Sequence, residues 1–371
     1  MRRLGLIIKV TRLCNLRCTY CHDWRASGEI MSFSVLARMI SSALQEFDEV
    51  QFIWHGGETT VVPIEFYQKA VALQARFLRP GCRVRNDIQT NATRVDDRWA
   101  KFFKEAEFGV GVSVDGPREL HDRHRLDAGG RSSYGDVIRG IEVLKRHQVP
   151  VSALMVVDEA TLALGPDRIF DFFLERGIKA FGCLDAKPHN QPDAVPGTSA
   201  APYIGPERMT RFMTRLYDRW LEHGDSKILI QEFALIHSRI EGKGRRSCTM
   251  EGDCLGRFFI VEPNGEASHC DLFLGDPAYS FGNVLNLSFT EMAQSEKMSR
   301  LKHANDHAVD VMREHCPEFA TCMGGCPHDR YISYRHNPAH SEKCCGKHGL
   351  ISHIRSRLRD QQQLNPLRVV A

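Results

Sequence analysis

Short apolar runs alternate with longer amphipathic segments over the first half of the chain. The apolar runs have the length of β-strands and occupy residues 4–10, 50–54, 85–90, 110–114, 151–157 and 180–184. Apolar residues recur at helical spacing in residues 34–47, 64–79, 96–105, 134–147 and 167–176. This alternation is typical of repeated βα units around a parallel sheet. The pattern therefore predicts an α/β fold with six strands, a partial (β/α)6 barrel.

The periodicity changes after the sixth strand. Residues 185–206 are rich in Pro, Ala and polar side chains and predict a linker. Residues 207–223 carry a Met and aromatic stripe at helical spacing, which we interpret as core packing. Residues 256–266 predict a hairpin around an Asn-Gly turn. We therefore expect a barrel in residues 1–206, a helical bridge in 207–246, a small Cys-rich domain in 247–348 and a C-terminal tail in 349–371.

Composition narrows the class of protein. The chain has 371 residues with 49 basic and 46 acidic side chains, and this balance, a net charge of +3, argues against nucleic acid binding. No apolar run approaches the roughly 20 residues that span a membrane, and the N-terminal apolar run is too short for a signal peptide. We expect a cytoplasmic protein that binds neither nucleic acid nor membrane.

Thirteen cysteines are concentrated in two regions. Three lie between Cys14 and Cys21, eight lie between Cys248 and Cys345, and the other two stand alone. Disulfides are rare in the cytosol, so clustered cysteines there indicate metal ligands. The sequence predicts two metal-rich regions separated by a cysteine-poor middle.

Cys14, Cys18 and Cys21 form a C-x3-C-x2-C run directly after the first strand. Three thiolates can bind an iron–sulfur cluster and leave one iron without a protein ligand. A structural zinc site is the alternative, but zinc normally needs a fourth protein ligand. The run resembles that of the radical S-adenosylmethionine (SAM) enzymes. This resemblance implies that the partial barrel is TIM-like. The resemblance implies a [4Fe–4S] cluster whose open iron is chelated by SAM.

Polar segments after the next strands extend this resemblance. The segments are Trp54-His55-Gly56-Gly57-Glu58, Gln89-Thr90-Asn91 and Ser113-Val114-Asp115-Gly116-Pro117. Ordinary turn chemistry also explains such residues. The resemblance implies SAM contacts at Tyr20, Gly56, Gly57, Glu58, Ser113, Arg125 and Leu184. We expect the histidines around Arg125 to be surface residues of a loop.

The late cysteines are similar to those of the SPASM extension of radical SAM enzymes, which carries two auxiliary [4Fe–4S] clusters. This resemblance implies that the first cluster is held by Cys248, Cys254, Cys270 and Cys326, and the second by Cys316, Cys322 and Cys344. A further cysteine expected three residues before Cys316 is Arg313. Cys345 or another group supplies the fourth ligand, or one iron stays open. A zinc ribbon is the alternative, because thiolates also suit zinc.

Two carboxylates are candidates for the catalytic base. Asp271 directly follows Cys270, where the sulfatase-maturing members of the family have a base. Asp115 is the second candidate. Either residue could instead be an aspartate of an ordinary loop or turn.

The resemblance implies an enzyme that oxidises a ribosomally made peptide. The three strand-end segments look like those of maturases that join side chains in a cyclophane-type crosslink, which is our main hypothesis. The same segments and Cys270-Asp271 are similar to anaerobic sulfatase maturases, which convert Cys or Ser to formylglycine. Those enzymes typically have Gln at the position of His55 and Cys at that of Arg313, and both departures favour crosslinking. A non-catalytic scaffold that binds metal clusters is a third hypothesis.

The expected partners follow from this chemistry. They are a peptide or protein substrate and an electron donor such as flavodoxin or ferredoxin. We expect any leader peptide to be recognised by a separate protein or by the mouth of the barrel.

Overall fold

The computed structural model describes residues 2–21, 28–188, 203–244, 247–273 and 276–364. The chain divides into two compact units, and each is described by itself. The first unit comprises residues 1–155, 189–194 and 255–301, and the second comprises residues 156–188, 195–254 and 302–371.

Ten strands are present in the described residues. They are β1 (Arg3–Lys9), β2 (Glu49–His55), β3 (Arg83–Thr90), β4 (Gly109–Ser113), β5 (Val151–Val157), β6 (Ala180–Asp185), β7 (Leu229–Ile230), β8 (Phe258–Val261), β9 (Glu266–Ser268) and β10 (Ser280–Asn283). The six strands of the predicted barrel are all observed, which confirms the α/β fold class.

Fourteen α-helices accompany them in the same residues. They are α1 (Phe33–Glu46), α2 (Ile64–Phe77), α3 (Asp97–Glu105), α4 (Arg118–His124), α5 (Tyr134–Arg146), α6 (Glu159–Leu164), α7 (Pro166–Glu175), α8 (Pro206–His223), α9 (Gln231–Ile240), α10 (Phe289–Gln294), α11 (Glu296–His315), α12 (Phe319–Cys322), α13 (Pro327–His336) and α14 (His348–Leu364). The five predicted barrel helices correspond to α1, α2, α3, α5 and α7. The short helices α4 and α6 were not predicted.

The first unit is built on a mostly parallel sheet. Its strands lie in the order β10-β9-β8-β1-β2-β3-β4-β5, and β1 to β5 pair in parallel, for example Leu6 with Phe52. Alternate residues of β2 are buried, and β1 is apolar on both faces, as expected of a parallel strand covered by helices. The carboxyl ends of these strands therefore meet at one edge of the sheet.

The predicted hairpin extends this sheet beyond β1. β8 and β9 pair antiparallel, which confirms the hairpin, and Gly265 in its turn has φ +90°. β8 also pairs in parallel with β1, with Ile7 opposite Ile260. A strand from the Cys-rich part of the sequence thus lies directly beside the strand that precedes the first three cysteines.

An aromatic cluster supports the loop after β2. The Tyr67 ring lies 5.6 Å from the rings of both Trp54 and Trp99, and all three side chains are buried. The Tyr67 hydroxyl donates to the Thr59 carbonyl at 2.8 Å. Burial of the rings and this hydrogen bond together fix the backbone just after Glu58.

The second unit is mostly helical. β6 pairs in parallel with β7, and α8 packs against α7 and α14. Phe212, Met213, Leu216 and Tyr217 form the buried face of α8, so the interpretation of its apolar stripe as core is confirmed. The predicted linker lies partly outside the described residues, at 189–202. None of the described helices is long and apolar enough to cross a bilayer.

Candidate active site

The loop after β1 gathers three thiols. The Leu16 N–H donates to the Cys14 sulfur at 3.3 Å. Burial, with smaller contributions from the charges of Glu58, Cys18 and Cys21, raises the pKa of Cys14 to about 12. Burial raises the pKa of Cys18 to about 11, against the opposing effect of Arg125. The three thiols therefore share one partly buried loop in which burial disfavours the charged thiolate form unless a positive partner is bound.

The Gly-Gly-Glu segment after β2 lies directly against this loop. Gly56 and Gly57 have φ values of +84° and +45°, and the Glu58 N–H donates to the Leu13 carbonyl at 2.8 Å. A Cβ atom on Gly57 would lie 2.1 Å from the Leu13 oxygen. Only glycine allows this backbone-to-backbone approach. The paired glycines predicted to contact SAM are thus held next to the cysteine loop.

The Glu58 carboxylate orders the surrounding loops. It is buried and accepts hydrogen bonds from the Thr60 N–H at 2.9 Å, the Thr60 hydroxyl at 2.5 Å, the Thr90 hydroxyl at 2.6 Å and the Asn91 N–H at 2.7 Å. These bonds connect the end of β2 to the end of β3. The Asn91 amide nitrogen in turn lies 4.0 Å from the Cys14 sulfur. Glu58 acts within the structure as a positioning residue, and its contact with SAM stays a prediction.

Asp115 and Arg125 form a buried ion pair. Arg125 donates from Nε and Nη2 to the two Asp115 carboxylate oxygens at 2.8 and 3.1 Å, and the Tyr20 hydroxyl donates to the same carboxylate at 2.6 Å. The Arg125 guanidinium also lies 5.4 Å from the centre of the Tyr20 ring. Three residues predicted separately, as two SAM contacts and a base, are therefore joined to one another. These contacts suit a positioning role for Asp115 better than a role as base.

The expectation for the histidines before Arg125 is wrong for His121. Residues Arg118–His124 form α4 rather than a loop, and His121 is fully buried, with Nε2 3.0 Å from the Ser133 hydroxyl. Burial, followed by the positive charge of Arg125, lowers the pKa of His121 to about 4. His121 is a core residue because α4 packs against α5.

The remaining predicted SAM contacts lie at the ends of β4 and β6. Ser113 is half-buried and accepts from the Gln89 amide at 2.8 Å, which places both side chains at the edge where β3 and β4 end. Leu184 lies on β6 in the second unit and is exposed. The contacts of Ser113 and Leu184 with SAM stay predictions.

Lys9 and Asp271 form an ion pair that the sequence did not predict. The Lys9 ammonium lies 2.7 Å from Asp271 Oδ1, and the Lys9 side chain is fully buried. Cys270 has φ +60°, an uncommon conformation for a residue with a Cβ, and it turns the chain immediately before Asp271. A Cβ on Gly56 would lie 2.5 Å from Lys9 Cδ. The signal in the sequence that could have revealed this pair is a lysine at the end of an otherwise apolar strand. In the structure, Lys9 lies against both Asp271 and Gly56 and so connects Asp271 to the Gly-Gly-Glu segment.

A second ion pair that the sequence did not reveal ties the cysteine loop to β8. Arg12 donates to both carboxylate oxygens of Glu262, each at 2.7 Å. Such a forked pair fixes orientation as well as distance. The loop with Cys14 is therefore attached to the hairpin that carries Asp271.

The late cysteines are divided between the two units. Cys270 belongs to the first unit, and the other seven belong to the second. All thirteen cysteines lie in the described residues, and none of them forms a disulfide. The ligand set of the first auxiliary cluster stays a prediction.

A cavity in the second unit contains charged groups that the sequence did not point to. Lys187 lies 2.6 Å from Asp329 and 3.1 Å from Asp185. Glu232 lines the same cavity, and burial raises its pKa to about 7. These residues are far apart in sequence, so only the fold brings them together.

The residues of the first unit fit the cofactors that the motif implies. Three thiols in one loop are the protein ligands of a [4Fe–4S] cluster with an open iron. The Asn91 amide nitrogen and the Leu16 N–H lie near one of the sulfurs, and donors of this kind tune cluster ligands. This loop, at the carboxyl edge of a parallel sheet and next to two backbone-exposing glycines, defines the class of protein as radical SAM.

Comparisons with known proteins agree. Residues 8–162 match the Radical SAM superfamily and residues 252–326 match an iron–sulfur cluster-binding domain, SPASM. The chain is 31% identical over 346 residues to a serine-type anaerobic sulfatase-maturating enzyme of Bacteroides thetaiotaomicron, covering 88% of this chain and 83% of the relative. It is 32% identical to a cysteine-type enzyme of Clostridium novyi, covering 88% of each.

A solved structure of native anSMEcpe with bound AdoMet and Cp18Cys peptide superposes with a TM-score of 0.83. The two sequences are 27% identical, and the match covers 97% of this chain and 99% of that chain. Streptococcus suis SuiB bound to precursor peptide SuiA, at 15% identity and TM-score 0.63, shares the fold; the match covers 89% of this chain and 73% of that one. The chain belongs to the family of radical SAM enzymes with a SPASM domain that includes the anaerobic sulfatase-maturating enzymes. It is therefore an enzyme of that type rather than a metal-binding scaffold.

Proposed function

We propose that this enzyme oxidises a Cys or Ser side chain in a peptide or protein substrate to formylglycine. The observation that carries the proposal is the ion pair of Lys9 and Asp271 beside the Gly-Gly-Glu segment. It supplies a carboxylate fixed next to the predicted SAM site. The sulfatase-maturating relatives and the peptide-bound structure of similar fold support this choice over the crosslinking hypothesis.

Each part of the site has a role in this proposal. When bound, SAM and its cluster supply a 5′-deoxyadenosyl radical that removes a hydrogen atom from the substrate Cβ, and auxiliary clusters accept the remaining electron. Cys14, Cys18 and Cys21 hold the cluster. Gly56 and Gly57 expose backbone carbonyls to the ammonium group of SAM.

Asp271 accepts the proton from the substrate thiol or hydroxyl. Lys9 is buried and holds this carboxylate in place, so the base is oriented before the substrate arrives. The substrate side chain thus loses one hydrogen atom, one proton and one electron. A serine gives the aldehyde directly, and a cysteine gives a thioaldehyde that water converts to the aldehyde and hydrogen sulfide. A flavodoxin or ferredoxin as donor of the first electron is part of the proposal.

Crosslinking is the second candidate, because His55 and Arg313 depart from the sulfatase-maturase pattern. A cyclophane-type crosslink also removes two hydrogens from the substrate but joins two carbons. Asp271 would then accept the proton that the aromatic ring carbon loses when the new carbon–carbon bond replaces its C–H bond.

An aldehyde-reactive probe distinguishes the two reactions. The reconstituted enzyme is incubated with SAM, a reductant and synthetic peptides that carry a central Cys, a central Ser, or an aromatic residue followed by a polar one. A hydrazide-reactive product from the Cys or Ser peptide supports formylglycine formation. A product lighter by two hydrogens that does not react with hydrazide, and whose fragments stay joined, would overturn it in favour of a crosslink. Cys14→Ala should abolish 5′-deoxyadenosine with every peptide.

A further inference from the structure

The cavity that contains Lys187 and Glu232 is lined by residues of the second unit. Its volume of about 110 Å³ is several times what one water molecule needs but small for a nucleotide, so it suits a group of side-chain size. The cysteines implied as cluster ligands by the family resemblance do not line it in the described part of the chain, whereas Cys183 and Cys345 do. Its apolar lining consists of Ile204, Met209, Met213, Ile332 and Leu350.

Four charged side chains of this lining balance one another. Lys187 lies 2.6 Å from one oxygen of Asp329 and 3.1 Å from Asp185. Lys347 lies 3.8 Å from the other oxygen of Asp329. Two ammonium groups are thus matched by two carboxylates, and these four groups need no further counter-ion.

Glu232 is the fifth charged side chain of the lining, and only one of its oxygens is used. Oε1 accepts a hydrogen bond from the Cys183 N–H at 3.0 Å. Oε2 is buried and has no hydrogen-bond partner among the described residues. A Cβ on Gly182 would lie 3.3 Å from Oε1, so this glycine leaves room for the carboxylate. The carboxylate is therefore fixed through one oxygen while the other still lacks a donor.

The environment of Glu232 leaves a negative charge in the cavity. Burial raises its pKa to about 7, and backbone hydrogen bonds and then the charge of Lys347 oppose this shift. Glu232 also lies in the first turn of α9, where the helix dipole favours the ionised form. Once Glu232 is ionised, the lining carries three carboxylates and two ammonium groups. The excess charge of the cavity is therefore negative.

These features define the group that the cavity can accept. A buried carboxylate oxygen is costly unless it receives a hydrogen bond, and a donor that also carries positive charge balances the excess. Ammonium and guanidinium groups are donors without acceptors. A bare metal ion fits less well, because the lysines already engage the carboxylates of Asp185 and Asp329. The apolar part of the lining suits the aliphatic stem of such a cation.

We propose that this cavity binds an organic cation, an ammonium or guanidinium group on an aliphatic stem, with Glu232 Oε2 as its acceptor. The stem lies against Met209, Met213 and the other apolar side chains of the lining. A free amine and a basic side chain of a peptide both present this chemistry. The site is additional to the one that oxidises the substrate, and it does not depend on whether the product is formylglycine or a crosslink.

Titration of the holoenzyme with n-butylamine tests the proposal. It is followed by ligand-observed nuclear magnetic resonance at about pH 8, where Glu232 is ionised and the amine is protonated. Glu232→Gln keeps an acceptor for the Cys183 N–H but loses the charge, so it should fold and bind n-butylamine at least tenfold more weakly. Glu222→Gln changes an exposed residue of α8 and should bind as the wild type does. Equal affinity of the wild type and Glu232→Gln, or no binding by the wild type, would overturn the proposal. Equal affinity for the neutral probe n-butanol would also overturn it.

Methionine methyl signals locate the ligand in the wild-type holoenzyme. With ¹³C-methyl methionine, n-butylamine should shift the signals of Met209 and Met213 and leave that of Met298, which is buried but does not line the cavity. Unchanged Met209 and Met213 signals at saturating n-butylamine would refute this site.

A competition experiment identifies the source of the cation. Two synthetic peptides differ only in having lysine or norleucine at one position. Displacement of n-butylamine by the lysine peptide alone assigns the site to a peptide side chain. If neither peptide displaces n-butylamine, the site is one for a free amine. Equal displacement by both peptides would contradict recognition of the charge.

Discussion

The buried Lys9 ammonium lies 2.7 Å from the Asp271 carboxylate, although the two residues are far apart in the sequence. β8 makes this possible by pairing with β1. The hairpin that follows brings Cys270 and Asp271 to the end of the strand that carries Lys9.

Replacing Asp271 by Asn should stop product formation and spare cleavage of SAM. The amide cannot accept the substrate proton, and loss of a positioned base typically costs about 10²- to 10⁴-fold in rate. Peptide product and 5′-deoxyadenosine are measured in the same reaction by liquid chromatography and mass spectrometry. Asp276→Asn is the control, because Asp276 caps a nearby 3₁₀ turn and asparagine caps equally well. Unchanged product with Asp271→Asn would remove this residue from the mechanism.

The Lys9–Asp271 contact should appear as a coupling energy in a double-mutant cycle. Lys9→Met leaves a partly buried carboxylate without its cation, and we expect it to cost about 2 kcal/mol, below the roughly 3–5 kcal/mol of fully buried pairs because Asp271 is partly exposed. The double variant Lys9→Met/Asp271→Asn should be less unstable than the sum of the single variants, by about 0.5–3 kcal/mol. Urea unfolding measures all four proteins. Additive effects would show that the two side chains do not interact.

Gly57→Ala should weaken SAM binding at least tenfold, about 1.4 kcal/mol. The added methyl group cannot fit 2.1 Å from the Leu13 oxygen, so the loop must move away from the cysteines. Gly81→Ala is a matched control, because Gly81 also has a positive φ, +79°, with open space around it. Equilibrium dialysis with labelled SAM compares the two. Equal affinities would contradict the proposed closeness of this segment to SAM.

Arg125→Met should destabilise the first unit by about 3–5 kcal/mol, because it leaves the Asp115 carboxylate buried without its cation. Arg118→Met removes an arginine that is more than half exposed and paired with Asp122, and it should cost at most about 1 kcal/mol. Thermal and urea unfolding followed by circular dichroism report both values. A similar small cost for both variants would mean that the Arg125–Asp115 pair does not form in solution.

His121 should make the enzyme less stable as the pH falls below 6.5. Its pKa is lowered from 6.5 to about 4 in the folded protein, so between these values the unfolded chain binds a proton that the folded chain does not. The free energy of unfolding therefore decreases with falling pH, by roughly 1.4 kcal/mol between pH 7.5 and 5.5 from this residue. His121→Gln should remove this part of the pH dependence. His303→Gln, which changes an exposed histidine, is the matched control. A pH profile of His121→Gln identical to that of the wild type would contradict the prediction.

The sequence by itself determined the parallel barrel strands, their helices, and the cysteine loop with its paired glycines. These features are local: strand and helix periodicities depend on neighbouring residues, and the spacing of Cys14, Cys18 and Cys21 confines three thiols to one loop. The hairpin before Cys270 was predictable for the same reason. Helix α4 was harder to predict, because His121 looks like a surface residue until the packing of α4 on α5 is known.

Only the tertiary structure decided how the polar residues pair. The lysine at the end of an apolar strand finds its partner through the pairing of β8 with β1, and Arg125 turns to Asp115 rather than to solvent. Each of these contacts joins residues distant in sequence or depends on a backbone turn, and the free energy of burying a charge is offset only when the fold supplies the partner.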